Sequence, residues 1–189
     1  MARTQAQDYD DKRDRIMHRA ATLFARNGFA NTSIAQLAQT CGVSKATIYH
    51  YYGSKEDILH KVMLEHMDDL LQSARNHLLD DADPKQAFRK LTRLLLKAYA
   101  GARNSQRVLL YERDHLPANQ RRQVTAKQRE LVDIVEQALT AAKGPSPRSR
   151  AETMLYFGMI NWTPNWFQPK GHLSRDELAD LAADLAIGN

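Results

Sequence analysis

The sequence has few residues that cross-link or interrupt a chain. Cys41 is the single cysteine, which excludes an intramolecular disulfide framework and a zinc site built on several cysteines. With 8 Gly and 6 Pro in 189 residues, long stretches can stay helical. No apolar run reaches the ~18 residues that a membrane-spanning helix needs. Residues 1–14 are polar and charged, so we predict no signal peptide and expect a cytoplasmic protein without a membrane partner.

Positive charge is concentrated in the first third of the chain. The net charge is +5, and residues 1–55 carry eight Lys or Arg against four Asp, which leaves +4 there. Such an excess suits a polyanionic partner such as DNA. Charge alone does not select DNA, because many soluble proteins are mildly basic.

Apolar residues recur at helical spacing through most of the chain, and no segment alternates as a strand does. The pattern predicts an all-α fold of about nine helices. We predict a disordered arm over residues 1–10, a first helical domain over 11–55 and a second over 56–189. The predicted helices with the clearest bounds are Lys12–Asn27, Lys45–Tyr51, Lys55 to about Leu79, Arg107–His115, Gln120–Lys143 and Ser149–Phe167, with a last helix after a capping box at Ser174 and Glu177.

Two short helices joined by a turn at Gly42 fit a helix-turn-helix. The side chains predicted on the outer face of the second of these helices suit a DNA groove, because hydroxyls donate to phosphates and lysine neutralises them. These side chains are Ser44, Lys45, Thr47, Tyr49 and His50. A plain helical hairpin with a solvated polar face is the alternative that this pattern leaves open.

The residues around this turn closely resemble the N-terminal signature of TetR-family repressors. The resemblance lies in Ile34–Ala38, Cys41–Tyr52 and Ser54–Leu59, and it extends back through Ala20–Phe24 and Asn27–Phe29. It implies a helical homodimer that binds a palindromic DNA operator and releases it when a small effector binds. Residues 11–55 would then be the helix-turn-helix DNA-binding domain, and 56–189 the ligand-binding and dimerisation domain.

The resemblance also implies which residues contact DNA. Thr47 and Tyr49 are the candidates for base or adjacent-phosphate contacts, and Lys55 matches a phosphate-binding lysine. Tyr52 matches an aromatic residue that packs the third helix on the first. The full set of expected DNA contacts is Thr32, Ser33, Ser44, Lys45, Ala46, Thr47, Tyr49, His50 and Lys55.

In the C-terminal half, Phe157–Trp162 and Trp166–Ser174 resemble a subgroup of these repressors that controls catabolism of fatty acids, sterols or phenylacetate. Members of that subgroup respond to coenzyme A thioesters, whose acyl group needs an apolar cavity and whose phosphates need cations. The expected effector contacts are Met63, Met67, Leu95, Tyr99, Leu110, Tyr111, Arg113, Trp162 and Trp166, with Arg107, Arg121 and Arg122 as further cations. Ordinary core packing of the apolar members is the alternative.

The sequence thus predicts a ligand-responsive transcriptional repressor and not an enzyme, with the fourth helix joining the DNA-reading segment to the effector cavity. We expect residues 149–167 and 174–187 to form a four-helix dimer interface, with Pro164 kinking the first of these helices. No cofactor or metal site is expected, since His60 and His66 are too far around one helix to clamp an ion. The alternatives are a constitutive DNA-binding protein without effector, and a helical ligand carrier or enzyme with a vestigial reading head.

Overall fold

The computed structural model describes residues 2–77 and 83–188, and the side chains of 9–76 and 83–188. Within these ranges the chain forms nine α-helices, a 3-10 turn at Arg113–His115 and no strand, so the all-α prediction is confirmed. The helices are α1 (Ala2–Asn27), α2 (Ile34–Cys41), α3 (Lys45–Tyr51), α4 (Lys55–His77), α5 (Pro84–Gly101), α6 (Arg103–Tyr111), α7 (Ala118–Lys143), α8 (Ser149–Trp166) and α9 (Arg175–Ile187).

Serine side chains cap the starts of several helices. The hydroxyls of Ser33, Ser44 and Ser54 each accept a hydrogen bond from the backbone N–H three residues later, at the starts of α2, α3 and α4. Ser174 and Glu177 form the predicted capping box of α9. Each such cap stabilises its helix by about 1 kcal/mol, which fixes where the short helices begin.

The bounds of two predicted helices differ from the structure by more than two residues. Helix α1 begins at Ala2, so the arm expected to be disordered over residues 1–10 is helical wherever it is described. Residues 1–27 contain neither Gly nor Pro, so no residue there interrupts a helix. Helix α6 begins at Arg103 instead of Arg107 and ends at Tyr111, before the 3-10 turn. The predicted end of α4 near Leu79 lies outside the described residues.

The chain divides into two compact units. The first contains the residues up to His66 together with Asn104–Thr125, and the second contains Met67–Arg103 together with the residues from Ala126 onwards. Helices α4 and α7 each contribute residues to both units. Most of α6 and the start of α7 group with the N-terminal helices in this division, and the predicted domain boundary between residues 55 and 56 stays a prediction.

The first unit is built around the apolar face of α1. Side chains that are at most 5% exposed lie on α1, the α1–α2 loop, α2, α3 and α4: Ile16, Met17, Ala20, Ala21, Phe24, Phe29, Leu37, Ala38, Ile48, Ile58, Leu59, Val62 and Met63. Tyr52 is also buried, and its hydroxyl donates to the backbone oxygen of Arg13 at 3.0 Å. The prediction that Tyr52 packs α3 on α1 is therefore confirmed, and burial raises the pKa of this tyrosine above its usual range.

The second unit is centred on α5, which packs extensively on α9 and also contacts α8. The fully buried Tyr156 of α8 donates its hydroxyl to Thr92 at 2.9 Å, and its ring lies 5.2 Å from that of Phe88. At the edge of this core, Arg89 forms an ion pair with Asp184 at 2.7 Å. A second pair, Arg93 with Asp180, joins the same two helices. Partly exposed pairs of this kind add little stability but favour one register between α5 and α9.

Pro164 lies inside α8, as the sequence predicts, and removes one backbone hydrogen bond from its last turn. The acceptor left over is the oxygen of Ile160, four residues earlier. The hydroxyl of Thr163 donates to that oxygen at 2.8 Å and so replaces the missing bond. Helix α8 therefore continues to Trp166. In the described ranges, no helix is both long and apolar enough to cross a membrane.

Candidate nucleic-acid interface and effector region

Helices α2 and α3 form the helix-turn-helix that the sequence predicts. Gly42 ends α2 in the left-handed region at φ +67°, where glycine is favoured, and the backbone N–H of Val43 donates to Ala38 at 3.0 Å. Leu37 and Ile48 are at most 1% exposed and hold the two helices together. The turn and the buried inner face leave the opposite side of α3 open to solvent.

The outer side of α3 brings most of the predicted DNA contacts together on one short segment. Its exposed residues are Ser44, Lys45, Ala46, Tyr49 and His50. Thr47 is half-buried, and its hydroxyl lies 2.9 Å from that of Ser44, which also caps the helix. Tyr49 is 53% exposed and projects its ring from the surface. A helix with this mixture of hydroxyls, a lysine and a ring can contact both phosphates and base edges.

Thr32 and Ser33 differ in what they present to a ligand. Ser33 is exposed at the start of α2, where backbone N–H groups and the positive end of the helix dipole favour a phosphate. Thr32 is 1% exposed, and its hydroxyl donates to the backbone oxygen of Gly28 at 2.9 Å. The expectation that the Thr32 side chain contacts DNA is therefore corrected. Its polar atom stabilises the loop between α1 and α2.

Lys55 is half-buried, and its side chain forms hydrogen bonds within the protein. Its ammonium group donates to the backbone oxygens of Phe29 and Thr32, both at 2.9 Å, and lies 4.0 Å from the centre of the Phe29 ring. Two of its three N–H donors are thus used, and one is left for a phosphate. The sequence could not show that this lysine joins the start of α4 to the α1–α2 loop.

The N-terminal part of α1 adds an aromatic residue that the sequence analysis missed. The ring of Tyr9 lies 4.6 Å from that of Tyr51 and 5.9 Å from that of His50, at the end of α3. Nothing marked Tyr9, because it falls in the segment expected to be disordered.

Cys41 is half-buried beside the turn, and burial raises the pKa of its thiol, with Arg15 and Arg19 of α1 opposing that shift. The raised pKa favours the unreactive thiol form.

Side-chain hydrogen bonds hold the segment 104–125 to the other helices of the same unit, and three of them reach α1, the α1–α2 loop and the start of α4. Glu112 accepts from the backbone N–H of Phe29 at 3.1 Å. The other two bonds run from Asn104 to Thr22 at 3.1 Å and from Gln120 to Asp57 at 2.6 Å. No local pattern in the sequence indicates these three bonds, because their partners are 63–83 residues apart.

The nine predicted effector contacts divide between the two compact units. Four of them belong to the first unit and five to the second. Met63, Met67 and Leu95 are at most 1% exposed and are core residues. Leu110 and Arg113 are half-buried, and Tyr111 is 53% exposed, with the Arg107 guanidinium 5.8 Å from its ring centre. Arg121 and Arg122 are exposed on α7.

The remaining three predicted effector contacts lie on α5 and α8. Tyr99 lines a cleft formed by α5, α8 and the start of α9. Trp162 and Trp166 are 60% and 53% exposed and line an open apolar surface instead of an enclosed cavity, so their contact with an effector stays a prediction. They share an outward apolar face, which Pro164 does not disrupt.

That outward surface, here called the α8–α9 face, is the main exposed apolar region among the described side chains. Every exposed Leu, Met and Trp in the described ranges lies on it: Met154, Leu155, Met159, Trp162, Trp166, Leu181 and Leu185. Gly158 also lines it, and a Cβ atom added there would meet nothing within 4 Å. A contiguous apolar surface of this kind marks a site of association.

Within the ranges that are described, no three His, Cys, Asp or Glu side chains are grouped to hold a metal ion.

Comparisons with known proteins cover both parts of the chain. Residues 16–62 match the family described as bacterial regulatory proteins, tetR family, and residues 81–188 match the tetracyclin repressor-like C-terminal domain. The transcriptional repressor KstR2 of Rhodococcus jostii is 26% identical over 176 residues, which are 89% of this chain and 85% of that protein.

Two solved structures share the whole architecture. A TetR-family transcriptional regulator from Bordetella parapertussis is 40% identical, with a TM-score of 0.87 and 93% of each chain covered. AibR, solved in complex with isovaleryl coenzyme A and operator DNA, is 25% identical, with a TM-score of 0.82 over 92% of this chain and 97% of AibR. With its helix-turn-helix, its all-helical second part and these matches over both, the chain belongs to the TetR family of bacterial transcriptional regulators.

Proposed function

We propose that this protein is a homodimeric repressor that binds a palindromic operator through α3 and releases it when a small effector binds. The observation that carries the proposal is the two-sided character of α3. Ile48 is fully buried on the inner side, while Lys45, Tyr49 and His50 are exposed on the outer side. A helix anchored in this way presents its outer side chains rigidly, as entry into a major groove requires.

The proposed DNA contacts divide by role. Tyr49 and Thr47 are the candidates for base edges, and Ser44, Lys45 and His50 for the adjacent backbone. Ser33 would meet a phosphate at the start of α2. Basic residues of α1, among them Arg15 and Arg19, lie close enough to Cys41 to affect its pKa, so positive charge is present beside the turn. Counterion release from the bound phosphates would supply most of the non-specific affinity.

A second copy of this chain is the proposed occupant of the α8–α9 face. Two large apolar helices side by side, with Trp162 and Trp166 exposed, suit a symmetric four-helix contact in which each face meets its own equivalent. Gly158 lies within the face with open space above it, so a partner helix can approach closely there. Dimerisation would present two copies of α3 to successive turns of one duplex.

The proposed effector is an acyl- or aryl-coenzyme A thioester. Support comes from AibR, which shares the fold at 25% identity and was solved with isovaleryl coenzyme A and operator DNA. Helix α4 is one continuous helix with residues in both compact units, so we propose that it carries the coupling. Effector and operator would then oppose each other reciprocally, by about 1–3 kcal/mol.

The test selects duplexes from a random DNA pool with the full-length protein and then measures their affinity by fluorescence anisotropy, with and without isovaleryl coenzyme A and phenylacetyl coenzyme A. The proposal expects a palindromic consensus and a 5- to 150-fold loss of affinity on adding at least one thioester. Palindromic binding that no thioester changes would favour a constitutive DNA-binding protein. Failure to enrich any sequence would favour a ligand carrier with a vestigial reading head.

A further inference from the structure

The second unit contains a cleft that combines an apolar lining with two cations. It has a volume of about 230 Å³ and lies between the last turn of α5, the last turn of α8 and the start of α9. Its lining is mostly aliphatic and aromatic, with Leu96, Tyr99, Phe167 and Leu178 among its residues and Arg103 and Arg175 beside them. A concave apolar surface with a few converging polar groups is the usual form of a small-molecule site.

The two guanidinium groups lack a carboxylate partner within the described part of the chain. Arg103 donates to the backbone oxygen of Pro164 at 3.4 Å, and Arg175 lies 5.9 Å from the ring centre of Phe167. Between α5 and α9, by contrast, Arg89 and Arg93 are both ion-paired, with Asp184 and Asp180. The arginines of the cleft therefore keep donors that can bind an anion in the bidentate geometry suited to guanidinium.

We propose that this cleft binds a short branched or aromatic acyl group together with an adjacent anionic group, and that Arg103 and Arg175 hold the anion. At about 230 Å³ the cleft is smaller than the roughly 300–1,000 Å³ of sites for drug-sized ligands, so it takes an acyl group and not a whole coenzyme A. The anion is either the carboxylate of a free acid or a phosphate of a coenzyme A thioester. The inference rests on the proposed function only for the ligand's role as effector.

Occupancy of the cleft would reach the proposed dimer contact directly. Thr163 and Leu178 line both the cleft and the α8–α9 face. Thr163 also holds the last turn of α8 together through its bond to Ile160. An anion that draws Arg103 away from the Pro164 oxygen changes the contacts of this turn, and with them the surface that a second copy meets.

Isothermal titration calorimetry on the full-length protein without DNA tests the inference. The probes are isovaleryl coenzyme A, phenylacetyl coenzyme A, isovalerate, phenylacetate and coenzyme A alone. We expect at least one acyl probe to bind, and the comparison of thioester with free acid to identify the anion. If no acyl probe binds at millimolar concentration, or if coenzyme A alone binds as tightly as every thioester and neither free acid binds, the inference is overturned.

Three variants locate the binding. Arg103→Gln and Arg175→Gln should each weaken it at least tenfold, while Arg129→Gln, which removes an exposed arginine outside the cleft, should change it less than twofold. Ala100→Phe fills the cleft from an exposed position and should abolish binding, with Ala141→Phe on exposed α7 as its control. Unchanged binding in the first two variants and in Ala100→Phe contradicts the assignment.

The same variants separate this inference from the proposed function. Thioester-driven operator release that persists in Arg103→Gln, Arg175→Gln and Ala100→Phe overturns the cleft as the effector site and leaves the repressor proposal standing. Acyl binding that depends on the two arginines, without any effect on DNA, keeps the cleft and removes its ligand as the effector.

Discussion

The carboxylate of Glu112 accepts a hydrogen bond from the backbone N–H of Phe29 at 3.1 Å. The backbone oxygen of Phe29 accepts a hydrogen bond from Lys55, and the Phe29 ring lies 5.1 Å from the His115 ring. The loop between α1 and α2 is therefore held from three directions. Glu112 directly follows α6, so this contact joins the end of that helix to the loop before the helix-turn-helix.

Replacing Glu112 with Ala should lower the free energy of unfolding by about 1–3 kcal/mol, because it leaves a partly buried N–H without its acceptor. Urea denaturation measures the change. Glu112→Gln keeps an acceptor oxygen and should recover most of the loss, whereas Asp114→Ala, at an 82% exposed side chain nearby, should be within about 0.5 kcal/mol of the parent. An unchanged midpoint in Glu112→Ala would contradict the structural role of this contact.

Tyr49 allows a controlled test of whether the outer side of α3 contacts DNA. Tyr111 is equally exposed at 53% but lies on α6, so it serves as the control. Tyr49→Ala should weaken binding to the selected operator by about 1–3 kcal/mol, roughly tenfold or more, through loss of a groove contact. Tyr111→Ala should leave the affinity within twofold. Fluorescence anisotropy measures both, and equal effects of the two substitutions would refute the assignment of α3 to the groove.

Substitutions of Lys55 and Lys45 should separate a contribution to folding stability from an electrostatic contribution to DNA affinity. Lys55→Ala should lower the free energy of unfolding by about 1–3 kcal/mol, since two carbonyl oxygens lose a charged donor. Lys45→Ala, at an exposed site, should leave stability within about 0.5 kcal/mol but reduce the slope of log affinity against log salt by about 1. Stability that is insensitive to Lys55→Ala would show that its contacts carry no net free energy.

The residues in and next to helix α3 predicted its bounds well. The structure gives α3 as Lys45–Tyr51, as expected, because the Ser44 hydroxyl caps it and the buried Ile48 fixes its inner side. Contacts between distant residues could not be predicted in the same way. Thr32 and Lys55 both bind backbone oxygens in the α1–α2 region, and no residue pattern marks a carbonyl as an acceptor.

The effector region was harder to predict because apolar residues at helical spacing look alike in a core, a cavity or an interface. Met63 and Leu95 are fully buried, whereas Trp162 and Trp166 at similar spacing face outward. Only the packing of α8 against α5 and α9 decides which side of the helix is left open. Helix α1 extended beyond its prediction because a polar, charged segment without Gly or Pro suits a helix as well as a disordered arm.

The α8–α9 face gives a prediction on oligomeric state. Trp162→Lys places a charge at the proposed dimer contact and should shift a micromolar sample towards monomer in analytical ultracentrifugation. Gly158→Leu has open space in one chain and should also weaken the dimer, because only a partner helix would meet the new side chain. Tyr111→Lys is the control and should sediment like the parent. A parent protein that is already monomeric, or dimers that survive both substitutions, would exclude this face as the interface.

In the proposed dimer, two copies of α3 enter successive major grooves of one duplex. Hydroxyl-radical footprinting of the parent protein on its selected duplex tests it most directly. We expect two symmetric protected patches whose centres are separated by about one helical turn, 10–10.5 base pairs, or a multiple of it, and we expect both patches to be lost in Tyr49→Ala. A single unpaired patch, or a footprint that Tyr49→Ala leaves intact, would contradict it.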